Sequence, residues 1–241
     1  MTDPASAEGP ASNPASDDDG EGIRQHRYVP PPAATTILLV RHGESAPEHP
    51  DRPFPDRDGH GDPPLASQGQ EQARRVGARL AAEHRDGHPI DAVYVTTLQR
   101  THQTAAPLLE LLGSRATEVP ELREVHLGEW EGSFRARVNA GDPIFGQVLA
   151  DERWDAIPGA ESVEVFAARL RSGIEAIAAE RPGQRVVAVV HGGVIGQLLA
   201  MATGSTGFAF VGADNGSISE LVIQPDGTWR VRRYNDVAHL V

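Results

Sequence analysis

Three short apolar runs in the chain predict buried strands. Residues 35–40 (TTILLV) and 186–190 (VVAVV) lack the alternation of apolar and polar residues that a half-exposed strand shows. Uninterrupted runs of this kind are typical of parallel strands that are covered on both faces. Residues 91–96 (DAVYVT) predict a third strand. These runs indicate the centre of a parallel sheet.

Helical periodicity separates the predicted strands. Apolar residues recur at i, i+3, i+4 and i+7 between Ala73 and Leu80, which predicts a helix that begins near residue 69. Residues 98–112 predict a second helix, in which Pro107 should cause a bend or lie near a break. Two further helices are predicted on either side of the 186–190 strand, at residues 163–177 and 194–202.

The remaining segments complete the predicted fold. Residues 217–224 and 228–234 flank Pro-Asp-Gly and predict a β-hairpin at an edge of the sheet. Residues 46–64 contain six prolines, which favours an exposed, ordered loop over a regular element. Strands that alternate with helices indicate an α/β fold, a three-layer sandwich with a mostly parallel central sheet flanked by helices.

The N-terminal segment differs in composition from the rest of the chain. Its first 22 residues contain six acidic residues but no lysine, arginine or large apolar residue after Met1, which is typical of disorder. We therefore expect a disordered tail over residues 1–32 and one domain over residues 33–241. No apolar run is long enough for a membrane span, so the expected protein is soluble, cytoplasmic and not associated with a membrane.

Charge and composition exclude several chemistries. Six of the twelve net negative charges lie in the first 22 residues, and the acidic remainder disfavours a nucleic-acid partner. The absence of cysteine excludes thiolate nucleophiles, thiolate metal sites and disulfides. All 22 basic residues are arginine, so lysine-based chemistry is excluded too. Any anion must be bound by arginine, histidine, hydroxyl or backbone groups, and arginine suits oxyanions well.

Candidate catalytic residues follow the predicted strands directly. Arg41 and His42 come after the first run, His191 comes after the 186–190 run, and Arg100 lies just beyond the 91–96 run. The carboxyl ends of parallel strands share one edge of a sheet, so these side chains should meet there. An unprotonated imidazole can attack phosphorus, and the surrounding cations can stabilise the charge that develops.

Several motifs carry a family resemblance. Residues 39–45 (LVRHGES) resemble the signature of the histidine phosphatase superfamily, which includes the cofactor-dependent phosphoglycerate mutases. Similarity to further motifs of that family extends over about residues 36–235, in the expected order, at residues 59–73, 97–105, 122–132 and 190–194. The resemblance implies a phosphoglycerate mutase-like fold.

The resemblance also implies a role for each matching residue. His42 would accept the phosphoryl group, and Glu124 would protonate the leaving oxygen before water attacks the phosphohistidine. No metal and no cofactor would be required. The implied phosphate-binding residues are Arg41, Arg100, His191, Ser45, Gly59 and Gly192.

The resemblance leaves phosphatase and mutase activities open. Residues 126–132 (HLGEWEG) are similar to the phosphatase branch, and the 66 residues between Glu124 and His191 leave limited room for a mutase-type lid, predicted at about residues 133–160. Two positions depart from the family pattern, Gly196 and Glu48, and a carboxylate at Glu48 would repel a nearby phosphate.

The favoured hypothesis is a metal-independent, acid phosphatase-like phosphomonoesterase that acts on a small-molecule phosphate ester, and the resemblance allows a homodimer. The alternatives are a cofactor-dependent phosphoglycerate mutase and a non-catalytic phosphate-binding or regulatory module of the same fold.

Overall fold

The computed structural model describes residues 28–49 and 52–241, and this part of the chain forms eight strands and six α-helices. Most of the predicted tail therefore lies outside the described residues. The strands are β1 (Thr35–Arg41), β2 (Asp56–Arg57), β3 (His60–Gly61), β4 (Ala92–Val95), β5 (Ala116–Glu118), β6 (Arg185–Val190), β7 (Ile218–Ile223) and β8 (Trp229–Asp236). The helices are α1 (Ser67–Arg85), α2 (Gln99–Leu112), α3 (Phe134–Asn139), α4 (Pro143–Asp151), α5 (Val163–Glu180) and α6 (Gly192–Thr203).

Six of these strands form the central sheet, in the order β5–β4–β6–β1–β7–β8. The pairs β5–β4, β4–β6 and β6–β1 are parallel, whereas β7 runs antiparallel to both β1 and β8. The predicted α/β fold with a mostly parallel sheet is confirmed. The C-terminal hairpin also lies where the sequence indicated, because β8 forms one edge of the sheet.

The β1 strand shows why its sequence lacks polar alternation. Ile37 and Leu39 face a core that includes residues of α5 and α6, whereas Leu38 and Val40 face a second core that includes residues of α1 and α2. None of these four side chains is more than 1% exposed. Burial of each contributes about 1.5–3 kcal/mol, so both faces of β1 anchor the sheet between the helical layers.

One local prediction requires correction. Residues 46–64 contain the small β2–β3 hairpin, whose turn residues Asp58 and Gly59 both have positive φ angles, as a two-residue type I′ turn requires. Strands of two residues are too short to produce a periodic pattern.

The α2 helix continues through Pro107 without a break. Pro107 cannot donate to the carbonyl of Gln103, but Gln103 is exposed, so water can take the place of that donor.

The segment predicted as a lid contains α3, α4 and a 3₁₀ turn at Trp154–Ala156. Trp130, Val148 and Ile157 are buried at the centre of a small third core in this region. Aromatic side chains surround this core, with Phe134 in edge contact with both Phe145 and Trp154. The lid aromatics therefore pack mainly against one another.

The turn after β1 depends on a close backbone approach to the start of α1. A Cβ atom on Gly43 would lie 2.3 Å from the carbonyl oxygen of Gly69, and a Cβ atom on Gly69 would lie 2.1 Å from that of Glu44. The Glu44 amide also donates to the side-chain oxygen of Gln72 in α1, at 2.8 Å. The helix thus holds the residues that follow β1 in place.

Two helical glycines should respond to alanine in opposite directions. Gly69→Ala should lower the free energy of unfolding by about 1–3 kcal/mol, because backbone atoms must move to admit the methyl group. Gly146→Ala, in α4, meets nothing within 4 Å and should raise it by about 0.5–1 kcal/mol through helix propensity. Urea denaturation measures both values. A shift of the same sign in both variants would contradict this account.

Candidate active site

The backbone of His42 is fixed by three separate elements. Its amide donates to the carbonyl of Val190 at the end of β6, at 3.0 Å, and its carbonyl accepts from the side-chain amide of Asn215, at 2.9 Å. The next amide, of Gly43, donates to the hydroxyl of Thr104 in α2, at 3.0 Å. The imidazole therefore projects from a rigid position at the carboxyl edge of the sheet.

The His42 ring is buried and has a defined tautomer. Its Nδ1 lies 2.7 Å from the carbonyl oxygen of Gly43, and because a carbonyl only accepts, Nδ1 carries the proton. The lone pair is then on Nε2. Burial, followed by the charges of Arg100 and Arg41, holds the pKa of His42 well below 6.5. The ring is neutral at neutral pH, as a nucleophilic imidazole must be.

His191 lies beside His42 and is completely buried. The two ring centroids are 5.2 Å apart, and Nε2 of His191 is 3.0 Å from the hydroxyl of Thr96. Burial and then the charge of Arg100 lower the pKa of His191 well below its ordinary value. Its Nδ1 is buried and has no hydrogen-bond partner among the described residues.

Two guanidinium groups, of the half-buried Arg41 and the buried Arg100, face the same space. Arg41 donates from Nη1 to the carbonyl of Ala213, while its Nε has no partner within the described part of the chain. Arg100 donates from Nη1 to the carbonyl of Gly61, at 3.1 Å, and its Nη1 lies 3.9 Å from a carboxylate oxygen of Asp62. Burial lowers the pKa of both arginines, yet guanidinium stays charged at neutral pH. The pair forms a fixed cationic site.

The Glu124 side chain is held by backbone amides. One carboxylate oxygen accepts from the amide of Gly193, in the first turn of α6, at 3.1 Å, and the other accepts from the amide of Val125, at 3.0 Å. Its backbone carbonyl accepts from Nη2 of Arg169, at 2.8 Å, and from Nε2 of His60, at 3.1 Å. The position of the carboxylate is therefore set by donors on both sides.

A cavity of about 180 Å³ brings most of the predicted site residues together. It opens into a neighbouring groove of about 700 Å³, with which it shares Glu48, Phe54, Gly61, Glu131, Gly132 and Arg135. His191 does not line this cavity, but its ring lies beside the ring of His42, which does. The predicted residues that do line it are Arg41, His42, Ser45, Arg100 and Glu124.

The predicted phosphate-binding glycines have different positions. Gly59 does not line the cavity, because it lies in the β2–β3 turn, where its amide donates to the carboxylate of Asp56 at 3.1 Å. Gly61, two residues later, lines the cavity in its place. Gly192 lies against Arg41, where a Cβ atom would be 3.3 Å from the guanidinium Nε. In the 46–64 segment, Gly61 rather than Gly59 therefore reaches the site.

The two departures from the family pattern have structural explanations. Glu48 lines the cavity, but its carboxylate accepts from the amides of Arg135 and Ala136, at 3.3 and 3.1 Å, which offsets part of its charge. Its carboxylate thus holds the start of α3. At Gly196, a Cβ atom would lie 3.2 Å from the carbonyl oxygen of Phe210, so the site leaves little room for a long side chain.

Sequence reasoning missed several residues that support the site. Thr96 and Thr104 contact His191 and the turn after His42, and Arg169 contacts the backbone of Glu124. Thr104 belongs to the 97–105 motif, but the motif does not reveal its contact with Gly43. Thr96 and Arg169 carry no distinctive local signal, because each acts on a residue that is distant in the sequence. Among the described residues, no group of three or more histidine, aspartate or glutamate side chains could hold a metal ion. None of the helices described is long and apolar enough to cross a membrane.

These groups form a site that suits the transfer of a group from an anionic substrate to an imidazole. A neutral imidazole with a free Nε2 lies beside two fixed cations and an unpartnered imidazole nitrogen, and a carboxylate shares the same cavity. A nucleophile, oxyanion donors and an acid or base within one small cavity are the components that phosphoryl transfer requires.

Comparisons with known proteins agree with this arrangement. Residues 37–237 match the model of the histidine phosphatase superfamily (branch 1). The chain is 31% identical to phosphoglycerate mutase-like protein 4 of Arabidopsis thaliana, over 85% of this chain and 86% of that protein. It is 30% identical to metal-independent phosphoserine phosphatase of the same plant, over 86% of this chain and 83% of that protein.

The fold is similar to that of a solved phosphoglycerate mutase from Bacillus anthracis. The TM-score is 0.70 and the identity is 25%, and the match covers 86% of this chain and 95% of the other. The predicted phosphoglycerate mutase-like fold is confirmed.

The two buried histidines should make stability depend on pH. Each has a lowered pKa in the folded state, so below about pH 6.5 the unfolded chain binds more protons than the folded protein. The free energy of unfolding therefore decreases as the pH decreases. We expect a loss of up to about 1.4 kcal/mol per pH unit for each histidine. Urea denaturation between about pH 7.5 and 5.5 measures this slope. His42→Asn should reduce it, and an equal slope in both proteins would contradict the assignment.

Proposed function

We propose, from the premise that the chain belongs to the histidine phosphatase superfamily, that it is a metal-independent phosphomonoesterase in which His42 accepts the phosphoryl group. The observation that carries this proposal is the environment of the His42 ring. A buried, neutral imidazole with its lone pair on Nε2 lies beside two guanidinium groups in a cavity that it shares with Glu124. The relative named as a metal-independent phosphoserine phosphatase supports hydrolysis of a phosphate ester.

In the proposed first step, Nε2 of His42 attacks phosphorus while the bond to the ester oxygen breaks. Glu124, in its protonated form, transfers its proton to that oxygen, and the alcohol leaves. Arg41, Arg100 and His191 stabilise the charge on the non-bridging oxygens throughout the transfer. The product is a phosphohistidine and a Glu124 carboxylate.

In the proposed second step, Glu124 accepts a proton from water as that water attacks phosphorus. The bond between phosphorus and Nε2 breaks, the electron pair returns to the ring, and inorganic phosphate leaves. His42 is again neutral and Glu124 is again protonated. Each step is an in-line displacement, so the same donors serve both transition states.

The adjoining groove favours a phosphatase over a mutase. A mutase must hold a second anionic group of its substrate beside the transferred phosphate. The groove presents the carboxylates of Glu48, Asp56 and Glu131, against one guanidinium, that of Arg135. Carboxylates repel a second phosphate, which supports a small monophosphate ester as the substrate.

Hydrolysis of p-nitrophenyl phosphate in the presence of EDTA tests the proposal. Wild type should release p-nitrophenol between acidic and neutral pH, and His42→Ala should lower kcat by at least about 10³-fold, because the acceptor is gone. His102→Ala is the control, since that histidine is exposed and pairs with Glu118 in the described structure. Equal rates for His42→Ala and wild type would refute the proposal.

Two other results would identify the alternatives. A mutase would be established if the protein isomerises 3-phosphoglycerate when primed with the bisphosphate and does not hydrolyse esters. The similarity to phosphoglycerate mutase-like protein 4 is the reason to test this activity. Inactivity on a broad panel of phosphate esters, together with phosphate binding in calorimetry, would establish a non-catalytic module.

Gly193→Ala should impair activity without unfolding the protein. A Cβ atom at this position would lie 2.5 Å from a carboxylate oxygen of Glu124, and the flexible glutamate can move to relieve the clash. We expect kcat/KM for an alkyl phosphate to fall about 10²-fold, which is typical of a lost acid catalyst. Urea denaturation should show a nearly unchanged free energy of unfolding. Wild-type kcat/KM in this variant would show that the observed carboxylate position is not required.

A further inference from the structure

Arg169 in α5 is bound to the chain segment that carries Glu124. Its Nη1 donates to the carbonyls of Glu121 and Arg123, both at 2.7 Å, and its Nη2 donates to the carbonyl of Glu124, at 2.8 Å. Its Nε and Nη2 also donate to the two carboxylate oxygens of Glu161, at 2.7 and 2.8 Å. A single guanidinium therefore satisfies three carbonyls and one carboxylate.

The ion pair keeps this guanidinium in a fixed orientation. The side chains of Arg169 and Glu161 are only 21% and 13% exposed. Burial raises the pKa of Glu161, but the hydrogen bonds and charge of Arg169 outweigh it and bring the net pKa below its ordinary value. The guanidinium carbon also lies 4.8 Å from the ring centroid of Phe166. A bidentate, partly buried pair of this kind is far more rigid than a surface arginine.

Residues 123–127, which include the segment that Arg169 holds, belong to neither a strand nor a helix. The carbonyls of His126 and Leu127 accept from the amides of Glu161 and Trp130, at 2.9 and 3.0 Å, whereas no backbone amide of the described residues donates to the carbonyls of Arg123 and Glu124. The Glu124 carbonyl has one further donor, Nε2 of His60, at 3.1 Å. If the backbone of Glu124 moves, its carboxylate moves with it. A displacement of about 1 Å at a catalytic group can reduce a rate about 10²-fold.

We infer that Arg169 is a positioning residue that places Glu124 for proton transfer to the leaving oxygen. This inference rests on the proposed phosphatase activity. Arg169 does not line the catalytic cavity, so it acts through the backbone of Glu124 and touches no reacting group. A purely structural arginine would affect all substrates alike, whereas a residue that positions an acid affects only the substrates that need one.

The leaving group of the ester distinguishes these two roles. p-Nitrophenolate is a weak base and departs without protonation, whereas the alkoxide of an alkyl phosphate requires an acid. The parameter to compare is kcat/KM, because it reports phosphoryl transfer to His42 and excludes the later hydrolysis of the phosphohistidine.

The test compares Arg169→Lys with wild type on p-nitrophenyl phosphate and glycerol phosphate. The lysine retains a charge beside Glu161 but cannot reach three carbonyls at once. We expect kcat/KM for glycerol phosphate to fall about 10–100-fold and that for p-nitrophenyl phosphate to fall less than about 3-fold. Arg185→Lys is the matched control, since Arg185 likewise binds a carbonyl, of His88, and a carboxylate, of Glu83, at the opposite end of β6.

Each outcome leads to a distinct conclusion. Equal losses on both esters in Arg169→Lys would overturn the positioning role and leave the proposed phosphatase intact. Wild type that hydrolyses neither ester would refute the proposed function, and this inference with it. If Arg169→Lys does not fold, Glu161→Gln provides the second measurement. That variant keeps the side-chain shape but removes the charge that orients Arg169, and it should show the same split between esters with a smaller loss.

Discussion

The parallel pairing of β1 with β6 brings the candidate catalytic groups together. Arg41 is paired with Val190 across the two strands, and the His42 amide continues the ladder by donating to the Val190 carbonyl. The two histidines follow these strands directly, so their ring centroids lie 5.2 Å apart although 148 residues lie between them in the chain. The apolar side chains that anchor β1 and β6 in both cores hold this register, and every other group of the site is arranged around it.

The site concentrates positive charge where water is scarce. Arg41 and Arg100 cannot lose their charges at neutral pH, so burial and their fields act on the histidines instead and keep both imidazoles neutral. Such a cluster is unfavourable for folding, because buried polar atoms such as Arg41 Nε and His191 Nδ1 have no protein partner among the described residues. The two guanidinium groups line the cavity, and they are the groups to which the proposed function assigns an oxyanion.

Backbone positions, as much as side chains, determine the geometry. Gly43 and Gly69 allow the turn after β1 to touch α1, and Gly193 leaves space for the Glu124 carboxylate that its own amide binds. Arg169, in α5, donates a hydrogen bond to the backbone carbonyl of Glu124. The reactive groups therefore depend on residues that never contact the cavity, which is how a small site on a loop-rich edge acquires a fixed shape.

The sequence by itself determined five of the six strands of the central sheet, the sheet class and the candidate reactive groups, because buried parallel strands and strand-end motifs leave local patterns. Short uninterrupted apolar runs predicted β1 and β6, and the motif after each predicted His42 and His191 at one edge. Only the tertiary structure decided the rest. Gly59 matched a local pattern but lies in a turn away from the cavity, whereas Gly61 lines it. The role proposed for Arg169 depends on contacts with residues that are 45 to 48 positions away in the chain. Contacts over that distance leave no local sequence pattern.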